Sequence, residues 1–410
     1  MSCLVPAWVT NARVFLHEII DKKGAPSVPG AKTTLYGTSY AWMSLAYLGE
    51  DSQELTAAFR RLVNTRQDVV SGLINAPEFE FFEPAEGALH DRDHLNLHLL
   101  CSAVLPVVQQ IQMQLSPLNA VHRFCDPEWM KEWQSSIDWK HAWFEGNNIL
   151  FVGQLLVYLR DVERHPGANA ALKEWFKWLD KTVDPNTGLW GTDGYCSPME
   201  AVYGGYHQLL VYYYEDHPLP NPKGLVDTVL SLQHEDGGFN PLGNAGACED
   251  VDSVDILVNC YKRFDYRRPD IRFALKRCVK HILETQNPDG GFPYNRDCVQ
   301  SHMGIPGTHA GPNVSCTFPT WFRIHTLALC AEVLPDHPEL RGVPFRFNDY
   351  LSMGWHRSPP DWVHPEERWW EDAGAWAKYH CHGLVRAPRR VARRGKRVAG
   401  SALRRLGLRR

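Results

Sequence analysis

The 410-residue sequence lacks most of the patterns that announce a function at first sight. Its eleven cysteines, scattered from Cys3 to Cys381, contain no CxxC pair. That excludes a zinc-finger framework and, the number being odd, a fully paired disulfide scaffold, and it points to a reducing compartment. No stretch reaches the ~18 uninterrupted apolar residues of a membrane span. The opening MSCLVPAWVTNARVFLHEII lacks the basic, apolar, small-residue order of a secretory leader, so a cytoplasmic chain is expected. P-loop, dinucleotide, HExxH and nucleophile-elbow patterns are all missing, which removes the nucleotide-dependent and hydrolytic chemistries those motifs serve.

Aromatic residues, by contrast, are plentiful. Fifteen Trp, 15 Tyr and 17 Phe require either a large core or an aromatic-lined cavity. The net charge of -4 hides an asymmetry: residues 386–410 hold eleven Lys and Arg and no acid, so the rest of the chain is acidic. Residues 1–384 are assigned to one globular unit. Residues 385–410 form a basic tail, read as a disordered segment or as a contact for an anionic membrane surface at the inner face; specific nucleic-acid recognition is not expected.

The chain repeats itself. LKEWFKWLDKTVDPNTGLWGTDGYCSPMEAVYGGYHQLLVYYY, LVDTVLSLQHEDGGFNPLGNAGACEDVDSVDILVNCYKR and LKRCVKHILETQNPDGGFPYN each run from a helix into a Gly-rich turn closed by an aromatic; a more apolar helix follows, reached in the last case through CTFPTWFRIHTLALCAEVL. The turn aromatics Trp190, Phe239 and Phe292 are spaced 49 and 53 residues apart. Glycines supply positive φ for the reversal, and the aromatic covers the end of the preceding helix. Twelve helices, alternately amphipathic and apolar all round, are expected between residues 6 and 334, with two more near 338–353 and 369–382. A helix apolar on every face must be covered on every face, so the alternation predicts an outer and an inner ring, an all-α (α/α)6 toroid of six helical hairpins.

With their Gln, Gly-rich turn and aromatic, LKRCVKHILETQNPDGGF and LVDTVLSLQHEDGGF resemble the QW-type repeats of the terpenoid cyclase and protein prenyltransferase superfamily. The resemblance implies that the starts of the inner helices, residues 196–200, 248–255 and 316–323, line a central cavity. It also implies chemistry for "GACEDVDSVDILVNC". The class II cyclases use an acidic Asp-x-Asp-Asp motif whose middle Asp protonates an alkene or epoxide. DVDS at 250–253 matches its first two acids and has Ser253 in place of the third, so Asp252 becomes the proton donor and Asp250 its polarising neighbour. Asp255, three residues on, is counted with them, while Glu249 is read as a helix cap. Crowded, desolvated carboxylates raise one another's pKa, and aromatic faces stabilise cations. Trp190, Tyr206, Phe318 and Trp321 are candidates for that wall, with His207 and Arg323 beside them.

Two other chemistries remain open. The prenyltransferase pattern would place Zn2+ on Cys248, Asp250 or Asp252, and His325, whereas acid-initiated cyclisation needs neither Zn2+ nor Mg2+. HDRDHLNLH at 90–98 sets His90, Asp93 and His94 on one helical face, and WFEGNN adds Glu145. Such polar groups suit a glycan hydrolase, lyase or epimerase, so the substrate is an isoprenoid or a lipid-linked glycan; a non-enzymatic scaffold is the third possibility. The loop 293–315, rich in Gly and Pro, reads as a lid, with His302 and His309 facing either substrate or solvent.

Overall fold

The computed structural model describes residues 5–77, 91–302, 305, 307–348 and 350–353, the side chains of residues 91–93 excepted. His90, the side chain of Asp93, the helix expected near 369–382 and the basic tail lie outside these residues.

Helices follow one another in pairs. The outer members are α1 (Ala7–Ile19), α3 (Gln53–Arg66), α6 (Pro127–Ser136), α8 (Ala168–Thr182), α10 (Pro222–Ser231) and α12 (Arg268–Glu284). The inner members are α2 (Leu35–Tyr47), the run from α4 (Asp91–His98) to α5 (Leu105–Gln110), α7 (Ala142–Tyr158), α9 (Pro198–Glu215), α11 (Ala247–Arg263) and α13 (Thr317–Val333). Around the ring, α2 packs on the α4–α5 run, that run on α7, then α7 on α9, α9 on α11, α11 on α13, and α13 back on α2. The inner ring is therefore closed, and the architecture is the six-pair toroid. A small antiparallel pair, β1 (Ala25–Pro26) with β2 (Thr33–Thr34), precedes α2.

Burial explains the alternation. Every residue of α2 is buried, whereas α8 buries Ala168, Ala171, Leu172, Trp175, Phe176 and Leu179, a single stripe at helical spacing. The motif Gln fastens the hairpins. Gln233 Nε2 donates to Gly237 O of its own turn at 2.9 Å and to Ala274 O of the next outer helix at 2.8 Å. Gln286 repeats this on Gly290 O at 2.9 Å and, across the closure of the ring, on Trp8 O at 2.9 Å. Gly290 is required there: its φ is +90°, and a Cβ would stand 2.0 Å from Asn11 O.

Two local features shape the site. Residues 99–104, between α4 and α5, are π-helical, and Pro106, which has no N–H to give to the preceding turn, accounts for the widening. At the crossing of α7 and α9, a Cβ on Gly204 would lie 2.2 Å from Ala142 O, so these two backbones meet without side chains between them. The helix expected at 338–353 is corrected: Pro338, Gly342 and Pro344 break it, and the described residues there form turns and extended chain.

Candidate active site

The inner helices surround a cavity of about 560 Å3 at the end of the ring where most of them begin. Its described walls include His94 and His98 of α4, His141 just before α7, Trp143, Phe144 and Asn147 of α7, Glu200 and His207 of α9, Cys248 and Asp252 of α11, and Phe318 and Phe322 of α13. The loop before α13 contributes Tyr294 and residues 298–302, and Met353 closes the far side.

The four acids of α11 separate into distinct roles. Glu249 Oε2 accepts from Gly246 N at 2.6 Å and from Asn240 Nδ2 at 3.1 Å, which is a cap at the helix start. Asp250, fully buried, is ion-paired with Arg323 and accepts from Phe239 N at 2.9 Å. Arg323 also donates to Ala245 O at 2.8 Å and Tyr294 O at 2.9 Å, so the pair ties α11, α13 and two turns together. In the next repeat Thr320 Oγ1 takes the corresponding N–H, that of Phe292, at 3.0 Å. Asp250 thus occupies a bracing position of the repeat.

Asp252 differs. It lines the cavity at 1 % exposure, and its Oδ2 has no hydrogen-bond partner. Burial, reinforced by the charges of Glu249 and Asp255, pushes its carboxyl well above the usual range, against a hydrogen bond from Trp143. The burial therefore favours the protonated form of this carboxyl over the ionised one. Asp255, three residues further along the same helix, is buried behind the wall against Asn259 Nδ2 at 3.0 Å, and burial raises it to about 7.

Burial favours the neutral form of three cavity histidines, His98, His207 and His302. His207 Nδ1 lies 2.7 Å from Tyr203 O, and because a carbonyl only accepts, the proton sits on Nδ1 and Nε2 carries the lone pair. Burial lowers His207 to about 4 and His302 to about 3, and holds His98 well below its usual value. His94 Nδ1 donates to Asn148 Oδ1 at 2.6 Å, and Asn148 Nδ2 in turn donates to Glu145 Oε2 at 3.2 Å. Glu145 is therefore joined to His94 from behind the wall, with its own pKa raised by burial.

The remaining expected residues divide. Phe318 and His207 line the cavity. Trp190 is buried away from it, its indole N–H donating to Leu179 O at 3.0 Å, so it covers the end of α8. Trp321 stands behind Phe318, stacked on Tyr40 with ring centroids 4.8 Å apart, and Tyr206 is buried beside His207. The candidate metal ligands are not gathered: Asp250 is engaged by Arg323, and His325 Nδ1 is hydrogen-bonded to Tyr47. Among the described residues no three His, Cys, Asp or Glu side chains are placed to hold a metal ion.

Sequence reasoning overlooked Trp143, Phe144, Tyr294 and Phe322, which supply most of the aromatic wall, and His98, one turn beyond His94. The i, i+4 spacing of His94 and His98 was the available signal. His302 is delivered by the loop, where Gln300 and Ala310 exchange backbone hydrogen bonds of 2.9 and 2.8 Å, and its ring packs 4.0 Å from that of Phe318. His309 is exposed.

No protein-family model matches the sequence, and no curated protein matches it. Similar solved structures include a polysaccharide lyase (15 % identity, 79 % of this chain and 97 % of that one, TM-score 0.45). Another is the type II terpene cyclase MstE from Scytonema (13 %, 80 % and 97 %, 0.43). A third is a possible member of the GH105 family from Salmonella enterica (10 %, 80 % and 93 %, 0.38). These likenesses are distant, and the chemistry of the site rests on the chain's own residues. Among the described residues no helix is long and apolar enough to cross a membrane.

Proposed function

We propose that the chain is an enzyme that cyclises an uncharged isoprenoid by acid initiation, with Asp252 as the acid and His207 as the base. The observation that carries this reading is an opposed acid–base pair on one cavity: a buried carboxyl with an unpartnered Oδ2, whose burial favours the protonated form, faces the same space as an imidazole whose Nδ1 is engaged by Tyr203 O and whose burial favours the neutral form. Asp252 gives its proton to an alkene or epoxide and becomes a carboxylate. Carbon–carbon bonds then form as the cation migrates, and the faces of Trp143, Phe318 and Phe322 stabilise it. His207 Nε2 removes a proton from carbon, leaving an alkene. Proton exchange with solvent restores both groups, so substrate and product are isomers.

Charge supports an uncharged substrate. The described lining offers imidazoles, rings, amides, thiols, a thioether and two carboxyl groups, those of Asp252 and Glu200, with no Lys or Arg among those residues to meet a diphosphate or a uronate. One observation favours the second reading, an acidic glycan: the first turns of α7, α9, α11 and α13 face the cavity, and helix starts attract anions.

The test is incubation with uncharged polyprenyl substrates, polyprenyl diphosphates and acidic oligosaccharides, followed by mass spectrometry. An isomer of an uncharged polyprenyl, formed by the wild type and not by Asp252→Asn, is the expected result. Turnover of the oligosaccharides alone would replace this reading with the second.

A further inference from the structure

Beyond residue 342 the chain does not wrap around the ring but enters it. Arg346 N donates to the carbonyl of Tyr47, the last residue of α2, at 3.0 Å, and Phe347 packs edge-on against the Tyr47 ring at 5.7 Å. From there Asn348, Leu351, Ser352 and Met353 are all buried. Gln154 Nε2, in the second half of α7, donates to Leu351 O at 3.3 Å and to Cys101 O at 3.1 Å, clamping the segment between two inner helices. The segment thus enters from the end where the inner helices finish and runs toward the end where they begin.

It divides the interior. On one side is the cavity of about 560 Å3, with Met353 in its wall; on the other is a hollow of about 60 Å3 of mixed lining, which includes Leu351, Leu105 and Val157 together with Gln109, Gln154 and Asp161. Met353 and Leu351 are two residues apart, so a single turn of extended chain separates the two spaces.

We propose that Met353 is the floor of the substrate cavity and sets the length of isoprenoid chain that it accepts, an inference that rests on the isoprenoid reading above. If Asp252 fixes where the reacting end must lie, the distance left for the remainder of the chain ends at the Met353 side chain. An unbranched thioether is a compliant floor, and the hollow behind it, walled by Leu105, Val157 and Leu351 as well as by Gln109, Gln154 and Asp161, is space into which a shortened side chain would let the substrate extend.

The experiment compares wild type, Met353→Ala, Met353→Trp and the conservative Met353→Leu by calorimetric titration with linear polyprenyl alcohols differing by single isoprene units, and by the relative kcat/KM for the same chains. The expected result is a shift of about tenfold in relative affinity toward the next longer chain for Met353→Ala, toward the next shorter for Met353→Trp, and none for Met353→Leu. An unchanged order of preference in both Ala and Trp variants, or no binding of any of these alcohols by the wild type, overturns the proposal. Because binding is read without turnover, a length shift that persists when no cyclised product forms would sink the acid chemistry and leave the floor standing.

Discussion

Asp250 and Asp252 stand two residues apart on one helix and have opposite fates: Asp250 is neutralised by Arg323, while Asp252 keeps an oxygen with no partner at the cavity wall. Two steps along an α-helix turn a side chain through roughly 200°, so the first carboxylate is directed into the joint between repeats and the second away from it. The separation of structural from chemical acid follows from that geometry.

Asp252→Asn is expected to lower turnover by about 10²–10⁴-fold without loss of fold, since an amide matches the shape of a neutral acid but gives no strong-acid proton. Its stability should rise with pH relative to wild type: the raised carboxyl is a penalty that is absent below the ordinary Asp pKa and grows as the unfolded chain ionises. Circular-dichroism melts at pH 5 and pH 8 check this, and an equal Tm difference at both would contradict it.

Asp255→Asn should move the pH profile. With Asp255 raised to about 7, wild-type stability falls as pH climbs from about 4 toward that value and then levels off. The variant loses that slope, measurable by urea titration. Removing the charge that helps to hold Asp252 protonated should also bring the alkaline fall in activity to lower pH. A pH–rate profile with an unmoved alkaline limb would argue against coupling between the two acids.

Arg323→Met should destabilise the protein by about 3–5 kcal/mol, because Asp250 is then a buried charge without its cation. Adding Asp250→Thr, the arrangement Thr320 already uses in the next repeat, should recover most of the loss. Denaturant titration of the double-mutant cycle measures it; a double variant as unstable as the single one would mean that the pair does more than brace the turn.

His207→Phe tests the base without removing the acid. Substrate consumption should continue while the product changes to one formed by water capture or by proton loss at another carbon, as seen by mass spectrometry. Unchanged product identity would take the terminal step away from His207.

Gln286→Ala should cost about 1–2 kcal/mol and speed hydrogen exchange in α1, since the lost amide joins the last Gly-rich turn to Trp8 across the ring closure. Equal exchange in α1 before and after the change would show the closure to be held elsewhere.

Much of the fold was legible because it is written in local terms. The Gln233 and Gln286 repeats, the positive-φ glycines and the contrast between α8 and α2 are patterns of neighbours along the chain, and each reappears as a hairpin, a turn or a buried helix. The aromatic wall was less legible, because Trp190 and Trp143 are both tryptophans near the start of an inner helix and only packing separates them. Trp190 finds Leu179 O and stays in the core, while Trp143 is carried to the cavity by the close approach of α7 and α9. His302 and Met353 were further out of reach, since each arrives on a non-helical segment whose course no periodicity records.

The sequence by itself determined the repeat, the pairing of amphipathic with apolar helices and the clustering of acids at the start of α11, because these depend on spacing within a few turns. Only the tertiary structure decided which acid is paired and which keeps an oxygen without a partner, which rings face the cavity, and which non-helical segments reach its wall. Those outcomes depend on Arg323, His207 and Met353, brought to α11 from other parts of the chain by closure of the ring, and charge and burial act through distance in space, not along the chain.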